Sequence, residues 1–505
     1  MASLLERAAS TPEAPPAEPP PRRPRWYRRV PVAMWVCMAV AVVNGVVWAL
    51  ITPSFQTPDE PVQAGYVQYL AETGKLPTPK TIYFNGSPEE NVAVGGVPFS
   101  LTGHPSWSVA HNTELERRLS SGLPRVSDVE AAYVASAPPL YFALETVPYE
   151  LASSGNFLDR LYAMRFLSAL LAGLTVGFVF LFLRELLPRT PLAWTAGALV
   201  VAFQPVFGFI SGGVNYDNLL WTASAATMWL VARGFRRGLT PRLGVAIGAA
   251  VAVGALTKGS IFGLVPGVAV AIVAMVLRSP ERRRALLGAA TAAAAAAIPF
   301  GAWLAASQAL FGRTAKTATG TGLIGVHTTF GGQLDYIWQF FLPRLPFMQH
   351  QWFWSTRYPH YPLWETYFKG FVGRFGWFAF GFPDAVNWVA LAIFVAILAL
   401  AVTALVRGRG AVMRRKAELV SYVLMAVGLT LLVAAAGYRY RIQTDLNFEQ
   451  TRYLFPLLPL YAAVVVLAAR GAGRRGAPAL AVALVVLAFA HDVFSQLLAI
   501  GHYYA

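Results

Sequence analysis

Long apolar runs recur along most of the chain. The first extends from about 30 to 52. Ten more lie near 165–183, 191–211, 219–232, 243–257, 261–277, 285–306, 385–406, 419–436, 454–469 and 477–490. A helix that crosses a hydrocarbon core of about 30 Å needs roughly 20 mainly apolar residues. The pattern therefore predicts an all-α integral membrane protein with about eleven transmembrane helices.

Two long polar connections interrupt this pattern, at about 53–164 and 307–384. The segment 138–156 in the first is apolar but short, and it contains Glu145, Pro148 and Glu150. We interpret it as a re-entrant or interfacial helix. The second connection is dense in aromatic residues. It is either an interfacial aromatic belt or a cap that stacks on sugars or lines a lipid path.

The charge distribution predicts how the chain is oriented. Alternate connections and the amino-terminal tail hold 24 of the 41 Lys and Arg residues but only 6 of the 25 Asp and Glu residues. Cytoplasmic loops carry such an excess of basic residues. We therefore expect a cytoplasmic amino terminus and both long connections on the outer face. The basic residues fall in short clusters between apolar runs, which argues against nucleic-acid binding.

Composition narrows the class of protein further. Hydrophobic residues make up 56% of the 505 and charged residues 13%, whereas soluble domains have about 25% charged residues. Cys37 is the only cysteine, which excludes an intrachain disulfide and a cysteine-built metal site.

The same patterns predict four regions. Residues 1–29 are rich in proline and arginine and are expected to form a disordered cytoplasmic tail. A membrane module follows over 30–306 and includes the first outer loop. Residues 307–384 form the second outer loop, and 385–505 form the carboxy-terminal transmembrane helices.

The sharpest candidate for chemistry is the sequence Thr57-Pro58-Asp59-Glu60, just after the first apolar run. One interpretation is a helix capping box with Thr57 as N-cap and Glu60 three residues later. An interfacial helix would follow, with Val62, Tyr66, Tyr69 and Leu70 toward the membrane. The other interpretation is catalytic, because an ionised carboxylate at this position can take a proton from a hydroxyl nucleophile.

Further charged residues lie on the predicted outer face. Asn215-Tyr216-Asp217 is either a turn that caps the next helix or a second carboxylate beside the first loop. Lys258 either extends toward water from the membrane edge or binds an anion together with Asp217. Three arginines, Arg439, Arg441 and Arg452, are suited to binding phosphate oxygens; the alternative is pairing with Asp445 and Glu449.

The set of motifs resembles the GT-C glycosyltransferases, and most closely their protein O-mannosyltransferase and aminoarabinose-transferase branch. A bacterial multi-spanning family of uncharacterised members has the same layout. The matching segments are short but are distributed over most of the chain. They are Pro58-Asp59-Glu60, Pro138-Pro139-Leu140-Tyr141, Arg165-Phe166-Leu167-Ser168-Ala169, Asn215-Tyr216-Asp217, Leu256-Thr257-Lys258-Gly259 and Arg452-Tyr453-Leu454-Phe455-Pro456.

The resemblance implies a bacterial plasma-membrane enzyme with an extracytoplasmic active site. It would transfer a sugar from a polyprenyl-phosphate donor to a hydroxyl of an envelope glycan, lipid or protein, with inversion. Asp59 would be the base, and Glu60 would orient Asp59 or the acceptor. The donor phosphate would be bound by Lys258 and Arg439, Arg441 or Arg452, with support from Asn215, Tyr216, Asp217 and Tyr453.

Three further expectations complete the sequence-based interpretation. No cofactor is required, but a divalent metal ion at Asp59 and Asp217 is chemically feasible. The main alternative function is a transporter or lipid-linked-sugar flippase, which predicts charged residues near the bilayer midplane and paired broken helices. A second alternative function is that of a non-catalytic scaffold in an envelope-assembly complex.

Overall fold

The computed structural model describes residues 31–79, 84–96, 108–127, 131–188, 190–314, 328–353 and 362–504. The predicted disordered tail, 1–29, lies outside these residues. The described part of the chain is mostly helical, in agreement with the predicted fold class. The helices, labelled in chain order, are α1 (Val32–Ile51), α2 (Glu60–Thr73), α3 (Pro88–Gly96), α4 (Val109–Leu119), α5 (Leu140–Leu151), α6 (Phe157–Leu186), α7 (Pro191–Ala202), α8 (Pro205–Ser211), α9 (Asp217–Arg237), α10 (Pro241–Ala255), α11 (Val265–Arg278), α12 (Arg282–Phe311), α13 (Phe330–Phe341), α14 (Lys369–Gly373), α15 (Asp384–Arg407), α16 (Arg409–Arg414), α17 (Lys416–Thr444), α18 (Leu458–Gly471) and α19 (Gly473–Tyr504).

Short elements complete the described structure. Strands β1 (Thr78–Pro79), β3 (Ala131–Ala132) and β2 (Phe84–Asn85) form a sheet in that order, and β4 (Arg374–Phe375) pairs with β5 (Phe380–Gly381). β1 is parallel to β3, and the other two pairings are antiparallel. 3-10 turns cover Tyr133–Ser136, Gly259–Gly263 and Thr451–Leu457, and a π-helical turn covers Leu363–Phe368.

Every predicted apolar run coincides with helical structure, but the count of eleven spans remains a prediction. Seven helices of the described chain are long and apolar enough to cross a membrane, or up to eight if the bent pair α7 and α8 is one span. These two helices meet at 61°. Helices α10 and α11 are shorter, and α9 is not among the candidate spans.

Close helix contacts hold the membrane-embedded bundle together. Gly244 and Gly248 of α10 lie against the carbonyl oxygens of Gly288 and Ala292 on α12, where an added Cβ would come within about 2 Å. Such small residues let helix backbones approach closely in a membrane. α6 runs through the centre of the bundle, beginning at a capping box between Asn156 and Asp159. Its 30 residues extend from the first long connection to the opposite end of the bundle.

The first long connection folds onto the bundle. Val62 and Tyr66 of α2 are almost completely buried, and the Tyr66 ring stacks on Phe142 of α5 with 3.9 Å between ring centroids. The prediction that these side chains face the membrane is therefore wrong, because α5 covers that face of α2. With 12 residues, α5 is shorter than the roughly 20 needed to span a bilayer.

Part of the second loop forms a small aromatic core. Tyr336 and Phe340 of α13 pack with Phe353 and Tyr367 around Tyr438, and all five are buried. An interfacial belt alone does not explain this arrangement, because these rings pack on one another inside the protein. Trp338 is 39% exposed and donates a hydrogen bond to the Pro343 carbonyl.

Candidate active site

The carboxylate pair at the start of α2 is split by the backbone conformation. Asp59 is the N-cap residue with φ 68°, in the left-handed region that Asp tolerates better than most residues. Its side chain makes no capping hydrogen bond, and the buried Thr57 hydroxyl has no partner among the described residues. The predicted capping box is therefore absent, and the two carboxylates point to different partners.

Glu60 forms a fully buried ion pair with Arg165 of α6. Its carboxylate accepts hydrogen bonds from Arg165 Nε at 2.7 Å and Nη2 at 2.6 Å. It also accepts from the backbone N–H groups of Phe55 and Val214, at 2.8 and 3.0 Å. Arg165 donates in addition to the carbonyls of Ala49, Thr52 and Pro53. Glu60 thus joins the loop after α1 to α6 and to the turn before α9.

Asp59 belongs to a second, separate set of charges. Arg452 forms a close ion pair with Asp59 through Nη2, and its Nη1 lies 3.6 Å from Asp217 Oδ2. The other oxygen of Asp217 accepts a hydrogen bond from Lys258 Nζ at 2.6 Å. The four residues therefore form a chain of alternating charge, which we call the Asp59–Lys258 cluster.

Two tyrosine rings enclose the lysine of this cluster. Lys258 Nζ lies 4.4 Å from the Tyr216 ring centroid and 4.5 Å from that of Tyr453, within the range of cation–π attraction. Burial, and then the charges of Asp217 and Asp59, raise the pKa of Tyr216 well above its usual value. Its side chain is therefore a neutral phenol at physiological pH.

Backbone contacts position the segment that carries Asp217. The Asn215 amide donates to the Pro58 carbonyl at 3.0 Å, and its Oδ1 accepts from the Asp217 N–H at 2.9 Å. The Tyr216 N–H donates to Gln63 Oε1 on α2 at 2.8 Å. Asn215 therefore ties the Asp217 turn to the residue before Asp59, and its supporting role in a site remains a prediction.

Only part of the cluster is accessible. The side chain of Asp59 is 15% exposed and that of Lys258 is 13% exposed, while Asp217 and Arg452 are 1% and 3% exposed. One acid and one cation thus reach the surface, each backed by a buried residue of opposite charge. Such a site offers a proton acceptor next to a binding point for an anion.

Arg439 and Arg441 lie outside this cluster. Arg441 pairs with Asp445 at the end of α17, with 3.1 Å between Nη2 and Oδ1, and Arg439 is exposed. Within the described residues, neither forms an ion pair with Asp59 or Asp217. Of the three arginines predicted to bind phosphate, the structure brings Arg452 alone to the cluster.

The metal prediction has no independent support in the geometry. The described residues contain no group of three or more His, Cys, Asp or Glu that could hold a metal ion. Asp59 and Asp217 both already contact Arg452. A divalent ion at these two carboxylates would compete with that guanidinium, and metal dependence remains a prediction.

A comparison with protein families identifies the chain's relatives. The family model described as predicted membrane protein DUF2142 matches residues 42–461. The chain belongs to this family. A comparison of this DUF2142 member with curated proteins finds no match.

Solved structures with a similar fold include ArnT from Cupriavidus metallidurans in the apo state. It is 15% identical, with a TM-score of 0.47, and the alignment covers 94% of this chain and 75% of ArnT. A structure of ArnT bound to undecaprenyl phosphate is 14% identical, with a TM-score of 0.44 and coverage of 94% and 77%. The Archaeoglobus fulgidus oligosaccharyltransferase tethered with an acceptor peptide is 13% identical, with a TM-score of 0.49, and this chain spans 55% of its length.

The six motif segments of this DUF2142 member lie in contact with one another. Besides the ion pairs above, the Leu140 N–H donates to the Leu256 carbonyl at 3.1 Å, and the hydroxyls of Tyr141 and Ser168 lie 2.9 Å apart. Ser168 also donates to Glu145, whose pKa burial raises to about 8.

Sequence reasoning assigned no role to Arg165 or Glu145. A charge inside or beside an apolar helix is costly and calls for a partner; this was the signal available for Arg165.

Proposed function

We propose that this DUF2142 protein is a membrane glycosyltransferase that uses a lipid-phosphate-linked sugar as donor. The observation that carries the proposal is the Asp59–Lys258 cluster. In it the partly exposed Asp59 carboxylate pairs with the buried Arg452, the partly exposed Lys258 ammonium pairs with the buried Asp217, and Arg452 also contacts Asp217. Transfer of a sugar from a phosphate ester needs a base for the acceptor hydroxyl and cations for the departing phosphate.

In the proposed reaction, Asp59 accepts the proton of the acceptor hydroxyl. The acceptor oxygen forms a new bond to the anomeric carbon from the side opposite the phosphate. The bond between that carbon and the phosphate oxygen breaks, and its electron pair leaves with the polyprenyl phosphate. Lys258 and Arg452 stabilise the growing charge on the phosphate, and the anomeric configuration is inverted.

The charge balance of the cluster suggests how the donor prepares the base. Asp59 and Asp217 together balance Arg452 and Lys258, so the free site is neutral. A donor phosphate brings negative charge and competes with Asp59 for Arg452. We therefore expect the phosphate to weaken the Arg452–Asp59 pair, which makes the Asp59 carboxylate more basic and more available to the acceptor.

The proposed roles of the remaining candidates follow from their contacts. Tyr216 and Tyr453 exclude water around Lys258, and Asn215 holds the Asp217 turn next to Pro58. Glu60, paired with Arg165, fixes the backbone on both sides of Asp59 and is a positioning residue. The same proposal places the site at the outer face of the membrane and takes a polyprenyl chain as the donor lipid. The acceptor is a hydroxyl of an envelope glycan, lipid or protein.

The transporter alternative is less well supported by the placement of charges. Asp492 of α19 is a buried intramembrane acid, but it accepts hydrogen bonds from Trp48 at 3.0 Å and Gln496 at 3.1 Å. Trp48 lies three residues before α1 ends, toward the Asp59–Lys258 cluster rather than at the helix centre. Asp492 therefore has hydrogen-bond partners within the protein and joins α1 to α19.

The decisive experiment measures sugar transfer by Asp59→Asn. The purified protein in nanodiscs receives a panel of undecaprenyl-phosphate-linked sugars with envelope extract as acceptor, and released undecaprenyl phosphate is quantified. Loss of the base should lower the rate about 10²–10⁴-fold, while binding of undecaprenyl phosphate persists.

Asp445→Asn is the matched control. Asp445 also has a positive φ, 58°, and also pairs with an arginine, but it lies outside the cluster. Transfer by Asp59→Asn at the rate of the unsubstituted protein would exclude Asp59 as the base. Donor sugar that crosses vesicle membranes without being transferred would favour the transporter instead.

A further inference from the structure

A cavity of about 240 Å³ opens at the other end of the bundle. It lies where α6, α9 and α11 end and α17 begins. Its charged lining residues are Glu185, Arg236, Arg278, Arg414, Arg415 and Glu418. This arginine pocket is far from the proposed active site. Glu185 follows Arg165 by 20 residues along α6, which at 1.5 Å per residue corresponds to about 30 Å, the thickness of a bilayer core.

Two buried glutamates neutralise some of the arginines. Glu185 lies 2.9 Å from Arg237, 3.6 Å from Arg233 and 3.7 Å from Arg236. Glu418 pairs with Arg415 through hydrogen bonds of 2.7 and 2.9 Å. Six arginines in and beside the pocket thus face two carboxylates, and a net positive charge remains.

Two of these arginines also bind carbonyl groups at the carboxy-terminal end of α6. Arg415 donates to the Leu186 carbonyl at 2.6 Å, and Arg236 donates to the Glu185 carbonyl at 3.1 Å. Arginines at a helix carboxy terminus satisfy free carbonyls and the negative end of the helix dipole. Arg278 and Arg414 are different, because they line the cavity and have no ion-pair partner within the described residues.

We propose that the arginine pocket binds a phosphate-bearing ligand through Arg278 and Arg414. Guanidinium groups bind phosphate oxygens in pairs and give up water more readily than ammonium groups do. The cavity is smaller than the roughly 300–1,000 Å³ pockets of drug-sized ligands, so it suits a phosphate headgroup rather than a large molecule.

The residues next to these arginines favour a lipid as the source of the phosphate. Leu277 precedes Arg278 and is 63% exposed, and Met413 precedes Arg414 and is 64% exposed. Apolar side chains of this kind offer a surface for acyl chains directly beside the charged pocket. Basic pockets between transmembrane helices bind anionic lipid headgroups in this way.

The test compares two pairs of exposed arginines. The full-length protein is purified in nanodiscs that contain phosphatidylcholine with cardiolipin, and native mass spectrometry measures the cardiolipin retained after delipidation. Arg278→Gln with Arg414→Gln should lower retention at least tenfold. The matched control, Arg474→Gln with Arg475→Gln, removes two exposed arginines of another basic connection and should change retention less than twofold.

A second arm separates lipid from soluble phosphate. Inorganic pyrophosphate is titrated by calorimetry into the protein in nanodiscs of phosphatidylcholine alone. Pyrophosphate binding that requires Arg278 and Arg414, without cardiolipin retention, would support the pocket and assign it a soluble phosphate ester. Equal loss of cardiolipin in both arginine pairs, or no dependence of either ligand on Arg278 and Arg414, would overturn the proposal. Neither readout depends on sugar transfer.

Discussion

Asp59 and Glu60 are adjacent in sequence, yet their carboxylates lie in different surroundings. Glu60 has no exposed side-chain surface and uses both oxygens on Arg165 and two backbone N–H groups. Asp59 keeps 15% of its side chain exposed and pairs with an arginine 393 residues away in sequence. The comparison separates a carboxylate that holds the fold from one that is available for chemistry.

The two carboxylates lie in different surroundings because the backbone conformation changes between Asp59 and Glu60. A positive φ at Asp59 turns its side chain away from the start of α2, whereas Glu60 has entered the helix and reaches back over the preceding loop. Side chains in the first turn of a helix point toward its amino terminus. Neighbouring acids therefore reach different arginines, one on α6 and one before α18.

The largest effect is expected when the buried pair is broken. Glu60→Ala leaves Arg165 as an uncompensated buried charge, which should lower the free energy of unfolding by about 3–5 kcal/mol. Asp59→Asn should lower it by less, because Arg452 keeps Asp217 as a partner and Asp59 itself is partly exposed. Denaturant unfolding in detergent measures both. Equal losses in the two variants would contradict the distinction between them.

A third carboxylate sharpens the comparison because it has no arginine as its main partner. Glu449 is buried, and the Tyr336 hydroxyl donates to it at 2.7 Å. Burial raises its pKa from 4.5 to about 7. Because the folded-state pKa is the higher one, protonation of Glu449 favours the folded state. Its contribution to the free energy of unfolding is fully present below pH 4.5 and is lost as the pH rises through 7. We expect a loss of about 2–3 kcal/mol between pH 5 and pH 8.

Glu449→Gln removes this titration and keeps the shape of the side chain. Its unfolding free energy should vary less between pH 5 and pH 8 than that of the unsubstituted protein, by the same 2–3 kcal/mol. Asp445→Asn, at the 93% exposed position nearby, controls for general charge effects. An unchanged pH dependence in Glu449→Gln would show that Glu449 titrates alike in the folded and unfolded states.

For the Asp59–Lys258 cluster, we expect a substitution to change phosphate binding more than folding. Lys258→Met removes one charge-assisted hydrogen bond donor from the cluster. A hydrogen bond to a charged group is worth about 1.5–3 kcal/mol, so affinity for undecaprenyl phosphate should fall roughly 10–100-fold. Lys75→Met, an exposed lysine at the end of α2, should change affinity less than twofold. Unchanged affinity in Lys258→Met would remove Lys258 from the phosphate site.

Sequence reasoning predicted the members of the Asp59–Lys258 cluster because charge there goes against the prevailing pattern. Lys258 and Arg452 are basic residues on the predicted outer side, which otherwise lacks a basic excess, and Asp59 and Asp217 lie a few residues after apolar runs. The motif order placed all four at one face. Their pairing through Arg452 could not be read from the sequence, since it depends on the 3-10 turn Thr451–Leu457 meeting the start of α2.

Other features escaped sequence reasoning for the same physical reason. The pairing of Glu60 with Arg165 joins positions 105 residues apart, and hydropathy carries no information about such contacts. The burial of α2 by α5 was missed because an amphipathic helix has the same pattern beside a membrane and beside another helix. The bend between α7 and α8 was missed although Pro205, the first residue of α8, is a sequence signal for it.

The smallest effect is expected at the two arginines that the structure leaves outside the cluster. Arg441 pairs with Asp445, whose side chain is 93% exposed, and exposed ion pairs contribute about 0–1 kcal/mol. Arg439→Gln and Arg441→Gln should therefore each lower sugar transfer less than about fivefold. Arg452→Gln, which removes a buried partner of Asp59 and Asp217, should lower it far more. The same transfer assay compares all three, and a larger loss in Arg441→Gln than in Arg452→Gln would place the donor phosphate at the end of α17 instead.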